Sequence, residues 1–302
     1  MNQPYTVIEI KPEWRLDQEQ MGSKRKFWYS EAVDQPRWLF KYAREIVPGV
    51  LSGEHWAEKI AEQIAEKMGV YHAKVELAVF EGSRGSTSES FVNGKALVHG
   101  NEILHKIDDE YKTVKNFKQS QHSLERIFKA FDEIFKKPAA EANQCWFAEY
   151  LVLDALISNV DRHHENWGIL LEQFKDKTTA CLAPSFDHAS SLGRELTDAR
   201  RQQILQNNGI GQYVKKGHGA IFWDNIEKKA PPPLNLVNLA VVRYPAFFQN
   251  VFERLDYLTT PKCETIIDRV PDDWMSPCAR VFAKELLRYN LEQLQNLRNK
   301  IL

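Results

Sequence analysis

A polar loop between a buried helix and a short strand restricts the fold of this chain more than any other feature of its sequence. Residues 156–171 read LISNVDRHHENWGILL. The helix predicted over 140–158 carries a broad apolar stripe, which is typical of a helix packed in a core. Because this buried helix anchors the polar loop after it, residues 159–166, we expect the loop to present Asp161 and Asn166 to one cleft.

A third polar residue returns to that loop through the next elements of the chain. The sequence predicts a strand–turn–strand hairpin over 167–183, and Asp187 follows it. Two carboxylates and an amide at one place suit phosphoryl transfer from a nucleotide, because one Asp orients the acceptor hydroxyl while the other two groups hold Mg²⁺. Mg²⁺ is a hard cation that prefers oxygen ligands, so Asn166 and Asp187 fit it better than the neighbouring histidines do.

The first third of the chain offers the cations that nucleotide phosphates need. Lys41 lies inside an apolar strand, WLFKY, where an amine is costly unless an anion pairs with it. Glu58, on a helix predicted over 52–68, is one candidate partner, and Glu62 is the alternative. The turn at 20–26 contributes a glycine, a serine and three cations, although it lacks the Walker pattern.

Strand-like alternation dominates the first third of the chain, whereas helical spacing dominates the remainder. The predicted strands of the first third lie at 5–10, 38–42, 75–81 and 86–92, with a turn at 82–85. A helix near 121–136 precedes the buried one, and Ser276 caps a last helix that begins with Pro277. This order predicts an α+β fold with the sheet first and most of the helices after it.

Composition excludes several classes of protein. With 302 residues, 43% of them hydrophobic, the chain can bury a core of its own, and its net charge of −1 gives no argument for nucleic-acid binding. No apolar run approaches the roughly 18 residues that a membrane span needs, and the first residues lack a secretion signal. The four cysteines stand far apart, which indicates reduced thiols in a cytoplasmic protein.

The motif D-R-H-x-x-N, from Asp161 to Asn166, followed by F-D at Phe186 and Asp187, resembles the HipA-like kinases. These are bacterial serine/threonine kinases named for a persistence toxin. Other stretches match in the same order, namely WLFKYAR, SGEHWAEKIAEQIAEKMGV, VELAVFEGSRGSTSESFV and VFAKELLRYNLEQL. The resemblance therefore covers most of the chain.

The fold implied by this resemblance is a two-lobed, kinase-like α+β architecture. Residues 1–92 are expected to form a small lobe of antiparallel strands with one helix, and residues 93–302 a larger, mainly helical lobe. Full-length toxins of the family carry an extra N-terminal subdomain. Because the strand that holds Lys41 comes so early, we expect a short form without that subdomain.

The resemblance also implies a role for each candidate residue. Asp161 looks like the catalytic base, Asn166 and Asp187 like the Mg²⁺ ligands, and Lys41 like the lysine that binds the phosphates of ATP. The resemblance implies that the stretch Glu89 to Val92 holds adenine through backbone groups. The nucleotide contacts that it implies are Gly22, Ser23, Lys24, Lys41, Glu58, Glu89, Phe91 and Val92.

The activity implied by the resemblance is ATP- and Mg²⁺-dependent phosphorylation of a serine or threonine in a protein substrate. In the resembling toxins, a serine of the phosphate loop is an autophosphorylation site that switches the kinase off, and Ser23 would take that part here. Such toxins also imply an antitoxin-type regulatory protein as a partner. We expect no direct binding of nucleic acid.

Three other functions stay open on the sequence alone. A phosphoinositide-type lipid kinase shares the D-R-H order and would need a membrane-facing surface. A binding module could keep the kinase shape without turnover, although the acidic set is intact. His163, His164 and His188 raise the third possibility, a zinc hydrolase, but adjacent histidines on a loop point in different directions. We interpret His163 instead as a packed histidine that orients the loop.

Overall fold

The computed structural model of the chain describes residues 3–18, 25–113, 119–175, 177–224 and 226–299. The strands, in chain order, are β1 (Val7–Ile10), β2 (Arg15–Gln18), β3 (Lys26–Tyr29), β4 (Trp38–Tyr42), β5 (Glu45–Val47), β6 (Val50–Leu51), β7 (Val75–Phe80), β8 (Ser83–Glu89), β9 (Ala96–His99), β10 (Gly168–Phe174) and β11 (Lys177–Leu182). The helices are α1 (Glu54–Met68), α2 (Gly100–Ile107), α3 (Leu124–Ile134), α4 (Ala139–Ile157), α5 (Asp198–Gln206), α6 (Ile210–Lys216), α7 (Pro233–Arg243), α8 (Pro245–Leu255), α9 (Thr260–Asp268) and α10 (Pro277–Arg298). A sheet region therefore comes first and a mainly helical region follows, as predicted.

The main sheet is mixed rather than wholly antiparallel. Its strands lie in the order β1-β7-β8-β4-β3-β2. All neighbouring pairs are antiparallel except β1 and β7, which run parallel with Val7 opposite Leu77. The prediction of an antiparallel sheet is therefore wrong at this edge. Strands β2 to β6 and helix α1 separate β1 from β7 in the chain, which provides the long connection that a parallel pair requires.

The hairpin between β7 and β8 turns earlier than the sequence predicts. Its turn consists of Glu81 and Gly82, whose φ angles are both positive (48° and 74°), and β8 already begins at Ser83. A two-residue turn of this kind matches the twist of antiparallel strands. Gly85, assigned to the turn by the sequence prediction, lies inside β8, where a Cβ would collide with the backbone carbonyl of Lys41.

Helix α1 lies against β7 and β8 of the main sheet. Its buried apolar residues repeat at helical spacing and are Trp56, Ala57, Ile60, Ala61, Ile64, Ala65 and Met68. The helix stops at Gly69 as predicted, in the left-handed conformation (φ 65°), and the Gly69 N–H is bonded to the carbonyls of Ala65 and Glu66.

Two apolar clusters bury the two faces of the main sheet. The larger cluster joins α1 to α4, α10 and the other helices, and it includes Leu77. The smaller cluster consists of Ile10, Phe27, Tyr29, Phe40, Ala78 and Phe80. Since Leu77 and Ala78 are adjacent on β7 and belong to different clusters, this strand is buried on both sides.

The polar loop is held at both of its ends. Helix α4, whose second half is buried from Phe147 to Ile157, leads into it through Ser158. Asn290 of α10 donates to the Leu156 carbonyl (2.9 Å) and the Ser158 hydroxyl (2.8 Å). On the other side, β10 lies between β11 and β9 in a three-stranded sheet. Strand β9 and helix α2 fall in a stretch where the sequence had indicated neither element.

Contacts away from the polar loop tie the sheet region to the helical region. The Tyr5 N–H donates to the Arg269 carbonyl at 2.7 Å. The rings of His55, on α1, and Trp274, before α10, lie 5.2 Å apart edge to face. The Arg84 guanidinium packs on the same Trp274 ring at 5.1 Å.

The four cysteines, predicted to be reduced, are free thiols, and Cys263 is buried. None of the helices in the described ranges is both long and apolar enough to cross a membrane.

Candidate active site

A buried arginine organises the polar loop. The Arg162 guanidinium donates to both carboxylate oxygens of Asp154 on α4, at 2.8 and 2.7 Å. It also donates to the carbonyls of Asn166 (2.9 Å) and Phe186 (3.1 Å) and to the Ser185 hydroxyl (3.0 Å). A planar guanidinium with five N–H donors can bind all of these groups at once. It therefore joins α4, the polar loop and the segment after β11.

The two polar residues predicted from the loop contact each other. The Asn166 side-chain nitrogen donates to the backbone carbonyl of Asp161 at 2.7 Å. This bond orients the Asn166 amide with its nitrogen toward the loop, so the oxygen is the atom turned to the other side. The Asp161 carboxylate in turn accepts a hydrogen bond from the Ser190 hydroxyl at 3.2 Å.

Lys41 and Asp187 form an ion pair next to the loop. The Lys41 Nζ lies 3.2 Å from the Asp187 Oδ1, and the two side chains are 13% and 27% exposed. Burial alone would lower the pKa of Lys41, but the charges of Asp187 and Glu58 outweigh burial and raise this pKa above its ordinary value. The ammonium group is therefore charged, and its position is set by an acidic residue that the sequence assigned to the metal.

Glu58, expected to pair with Lys41, has a different direct partner. Its Oε1 accepts the backbone N–H of His188 at 2.7 Å and lies 3.5 Å from the His188 Nδ1. The side chain is 1% exposed. Burial acts to raise the pKa of Glu58, but the hydrogen bond from His188 and the charge of Lys41 outweigh it and lower this pKa. The expected Lys41–Glu58 ion pair is replaced by Lys41–Asp187, because Glu58 is bonded to His188, in the segment after Asp187.

The alternative prediction, that Glu62 pairs with Lys41, is wrong. Its carboxylate pairs at 3.0 Å with the ammonium of Lys59, which also bonds with the Glu76 carboxylate (3.0 Å) and the Val75 carbonyl (2.7 Å). Glu62 lies one helical turn beyond Glu58, and there a second buried lysine satisfies it.

The stretch predicted to hold adenine runs beside Phe186. The sequence prediction continued β8 to residue 92, but the strand ends at Glu89. The N–H groups of Glu89 and Ser90 donate to backbone carbonyls at 3.0 and 2.8 Å, and the Val92 carbonyl accepts a backbone N–H at 2.8 Å. The ring of Phe91 lies 5.4 Å from that of Phe186. This stretch is thus next to the residue that precedes Asp187.

Part of the predicted phosphate turn can be placed. Residues 22–24 lie outside the described residues. The Arg25 guanidinium packs over the Tyr42 ring at 4.3 Å. Lys26 is the first residue of β3 and lies directly opposite Lys41 on β4, so the prediction that it belongs to a turn is wrong.

His164 is the more deeply buried histidine of the loop, whereas His163 is only half-buried but bonds to the loop backbone, as the prediction that it orients the loop requires. His164 is buried with its Nδ1 2.7 Å from the Tyr111 hydroxyl, and burial lowers its pKa to about 4. His163 is half-buried, and its Nδ1 accepts the backbone N–H of Glu165 at 3.2 Å. The sequence could not separate these neighbours, because their burial depends on which face of the loop meets α2 and its surroundings.

The histidines do not converge on a common point. The rings of His163 and His164 are 6.2 Å apart and nearly perpendicular. His188 directs its Nε2 to the Ser185 hydroxyl at 2.7 Å. In the part of the chain that the structure describes, His, Cys, Asp and Glu side chains form no group of three that could hold a metal ion.

Four residues near Asp161 were missed by the sequence reasoning as members of the site. Glu54, the first residue of α1, accepts from Arg44 (2.8 Å) and from Arg194 (3.1 Å). Arg194 also donates to the Ser190 hydroxyl at 3.1 Å, and Ser190 contacts Asp161. Each is an ordinary polar residue in the sequence, and it is the contact between Arg194 and Glu54, 140 residues apart, that joins the Arg44–Glu54 pair to Ser190 and Asp161.

A family model for the HipA-like C-terminal domain matches residues 19–229, which include every predicted site residue. The chain belongs to the HipA-like C-terminal domain family. The resemblance inferred from the D-R-H-x-x-N and F-D motifs is thereby confirmed.

One relative and two solved structures are also similar to this chain. The chain is 31% identical over 87 residues to the serine/threonine-protein kinase CtkA of Helicobacter pylori, a stretch that spans 28% of this chain and 26% of that relative. The crystal structure of the Helicobacter pylori proinflammatory kinase CtkA covers 100% of both chains with a TM-score of 0.74 and 18% identity.

A second solved structure is HipA of Shewanella oneidensis in a complex with HipB and operator DNA. It covers 96% of this chain and 66% of that chain, with a TM-score of 0.58 and 12% identity. At such identities these two structures show the fold, which is the kinase-like α+β arrangement of CtkA and HipA.

Proposed function

We propose that the chain is a serine/threonine protein kinase that uses ATP and Mg²⁺. The observation that carries this proposal is the Lys41–Asp187 ion pair beside the loop in which Asn166 contacts Asp161. Family membership supports it, and so does the name of the relative that shares 31% identity, a serine/threonine-protein kinase.

Asn166 and Asp187 are the residues proposed to hold Mg²⁺. Both supply oxygen, the ligand type that this ion prefers, and the bond from the Asn166 nitrogen to Asp161 leaves the amide oxygen on the opposite side. When bound, the ion would neutralise charge on the phosphates. Lys41 has a second anion within electrostatic reach, Glu58, whose charge helps to raise the pKa of Lys41. The buried Oε2 of Glu58 accepts no hydrogen bond from the described residues.

Asp161 is proposed to orient the acceptor hydroxyl and to accept its proton. Its carboxylate is partly buried and is already held by one hydroxyl donor, Ser190. Because the backbone carbonyl of Asp161 accepts a hydrogen bond from the Asn166 side chain, the proposed base and a proposed metal ligand are held next to each other. Catalysis would then come from positioning and from preorganised charge.

The nucleotide would lie between the two regions of the chain, which we propose to treat as lobes at residues 1–92 and 93–302. Strand β9 supports this boundary, because it joins β10 in the second sheet rather than the main sheet. The stretch Glu89 to Val92 would hold adenine through backbone groups, and residues 22–24 would contact the phosphates.

Two regulatory features belong to this proposal through the resemblance. Ser23 is proposed as an autophosphorylation site that lowers activity, because a phosphate there would compete with the nucleotide for the same cations. A protein that regulates the kinase is proposed by analogy with the complex of HipA and HipB.

Transfer of radiolabel from ATP to a dephosphorylated protein mixture tests the proposal. We expect label in protein that depends on Mg²⁺ and is recovered as phosphoserine or phosphothreonine. A parallel reaction with phosphatidylinositol vesicles tests the lipid-kinase alternative. Label confined to lipid would reject the protein substrate, and nucleotide binding without any transfer would favour a binding module.

A further inference from the structure

Two arginines from distant parts of the chain converge on one buried carboxylate near Asp161. Arg44, between β4 and β5, donates its Nη2 to the Glu54 Oε1 at 2.8 Å, and Arg194 donates its Nη1 to the same oxygen at 3.1 Å. The Ser52 hydroxyl donates to the other Glu54 oxygen at 3.1 Å. The Glu54 carboxylate therefore fixes both guanidinium groups side by side.

This pair of arginines is next to the position proposed for the acceptor hydroxyl. Arg194 donates to the Ser190 hydroxyl at 3.1 Å, and that hydroxyl donates to the Asp161 carboxylate at 3.2 Å. Arg194 is thus two hydrogen bonds from Asp161. Because an extended chain advances about 3.3–3.6 Å per residue, this separation corresponds to about two residues of a bound peptide.

Arg44 belongs to the same cleft. The hydrogen bond with Glu54 is the main reason that the pKa of Arg44 is raised, and the charges of Asp161 and Asp187 add to it. The position of Arg44 in the cleft is set by the Glu54 Oε1, which accepts hydrogen bonds from both Arg44 and Arg194. Asp187 is already paired with Lys41.

Both arginines remain accessible to a ligand. The side chain of Arg44 is 47% exposed and that of Arg194 is 21% exposed, whereas Glu54 is buried. The adjacent β5–β6 hairpin exposes the aliphatic side chains of Val47, Val50 and Leu51. A peptide bound beside Arg44 could therefore contact both cations and the apolar side chains of the hairpin.

We propose that Arg44 and Arg194 form a subsite that recognises an acidic side chain about two residues from the serine or threonine to be phosphorylated. A guanidinium binds a carboxylate through two parallel hydrogen bonds, and two fixed guanidinium groups restrict where that carboxylate can sit. This subsite rests on the proposed kinase function and specifies its substrate class, which is an acceptor segment with an acidic neighbour.

The experiment uses the full chain, Mg·ATP and a peptide library with one serine and a single Asp, Gln or Lys at each flanking position. The readout is the ratio of kcat/KM for acidic peptides to that for the matched Gln peptides, so that any general loss of activity cancels. We expect a ratio of about five for the unaltered chain, the size of effect that an exposed ion pair provides. Arg44→Gln should bring the ratio close to one, and Arg44→Glu should make Lys peptides the better substrates.

Arg288→Gln is the matched control. Arg288, on α10, is 45% exposed and pairs with carboxylates of its own helix, so it resembles Arg44 in exposure and bonding but lies on another element. We expect the peptide ratio of this variant to equal that of the unaltered chain.

Several results would overturn the subsite. These are a ratio near one in the unaltered chain, an acidic preference that survives Arg44→Gln, or a chain that labels proteins but no library peptide. An increase in KM for ATP with an unchanged peptide ratio would assign the arginines to the nucleotide instead. Failure of the kinase proposal is recognised separately, because the unaltered chain would then label neither protein nor peptide.

Discussion

Arg162 and Asp154 form a two-pronged ion pair in the interior, with Nε–Oδ2 and Nη2–Oδ1 distances of 2.8 and 2.7 Å. Both side chains are almost completely buried. The remaining N–H groups of Arg162 reach the polar loop and the segment before Asp187. The position of the candidate site thus depends on a charge pair that itself faces away from solvent.

Removal of one partner of this pair should destabilise the fold strongly. Asp154→Ala leaves a buried guanidinium without its carboxylate, for which we expect a loss of about 3–5 kcal/mol in the free energy of unfolding. Chemical denaturation followed by circular dichroism measures it. Arg288→Ala, at an exposed ion pair, should stay within about 0.5 kcal/mol. A loss below about 1 kcal/mol for Asp154→Ala would show that Arg162 is not held as described.

The two acidic residues proposed for catalysis should be separable by their effects. Asp161→Ala and Asp187→Ala should each lower the rate of phosphoryl transfer at least about 100-fold, because orientation of the acceptor and neutralisation of the phosphates are lost. Only Asp187→Ala should also weaken binding of Mg·ATP, which isothermal titration measures. Circular dichroism controls for folding. Near-normal transfer by either folded variant refutes the role given to that residue.

Mg·ATP should stabilise the chain against heat. A ligand at one hundred times its dissociation constant adds about 2.7 kcal/mol, so the melting temperature should rise by a few degrees. The rise should vanish with EDTA and shrink in Lys41→Met, which removes the ammonium beside Asp187. Differential scanning fluorimetry gives these shifts. An equal rise with and without EDTA contradicts a metal held by Asn166 and Asp187.

Buried histidines should make stability depend on pH. Burial lowers the pKa of His55 to about 4, from an ordinary value of 6.5. As the pH falls, the unfolded chain therefore binds a proton at His55 before the folded chain does. The contribution of the neutral His55 to the free energy of unfolding is complete above about pH 6.5 and is lost as the pH falls toward 4. The slope should reach about 1.4 kcal/mol per pH unit for this histidine.

His55→Phe tests this dependence, because it keeps a ring against Trp274 without a group that titrates. We expect the loss of stability between pH 6.5 and 4 to be smaller in this variant, as measured by urea denaturation at each pH. Trp274→Phe alters the same contact but keeps the histidine, and should leave the slope unchanged. Equal slopes for His55→Phe and the unaltered chain would rule His55 out as the titrating group.

Ser23 should acquire a phosphate when the chain is incubated with Mg·ATP. Mass spectrometry of tryptic peptides locates the modification, and activity should fall as it accumulates because the phosphate competes for the cations that bind the nucleotide. Ser23→Ala should keep its activity through the same incubation. An active preparation without phosphate on this residue removes the idea of self-inactivation.

Elements with a local cause were predictable from the sequence. Helix α1 and its end at Gly69 follow from apolar spacing and a residue that adopts a positive φ, and α4 follows from its apolar stripe. The hairpin that leads to Asp187 was predicted from two strand-like runs on either side of a charged turn at 172–178, although the strands extend to Phe174 and from Lys177, so the turn is shorter than predicted. The D-R-H-x-x-N motif of the polar loop and the F-D motif that ends in Asp187 were together sufficient to name the family.

Contacts between distant residues were not predictable in the same way. The sequence indicated Glu58 or Glu62 as the partner of Lys41, whereas the ion pair of Lys41 is with Asp187. It also predicted an antiparallel β1, and it did not separate the fully buried His164 from the half-buried His163. None of these choices changes the local pattern of the chain, because each depends on contacts between residues that are far apart in the sequence.

The sequence by itself thus determined the polar residues of the D-R-H-x-x-N and F-D motifs, the order of a sheet region before a helical region, and the family. Only the tertiary structure decided which charge neutralises which, and that Arg44 and Arg194 share Glu54. The physical reason is range. Helix and strand propensities act over a few neighbouring residues, whereas ion pairs and burial depend on distances in space that many distant contacts fix together.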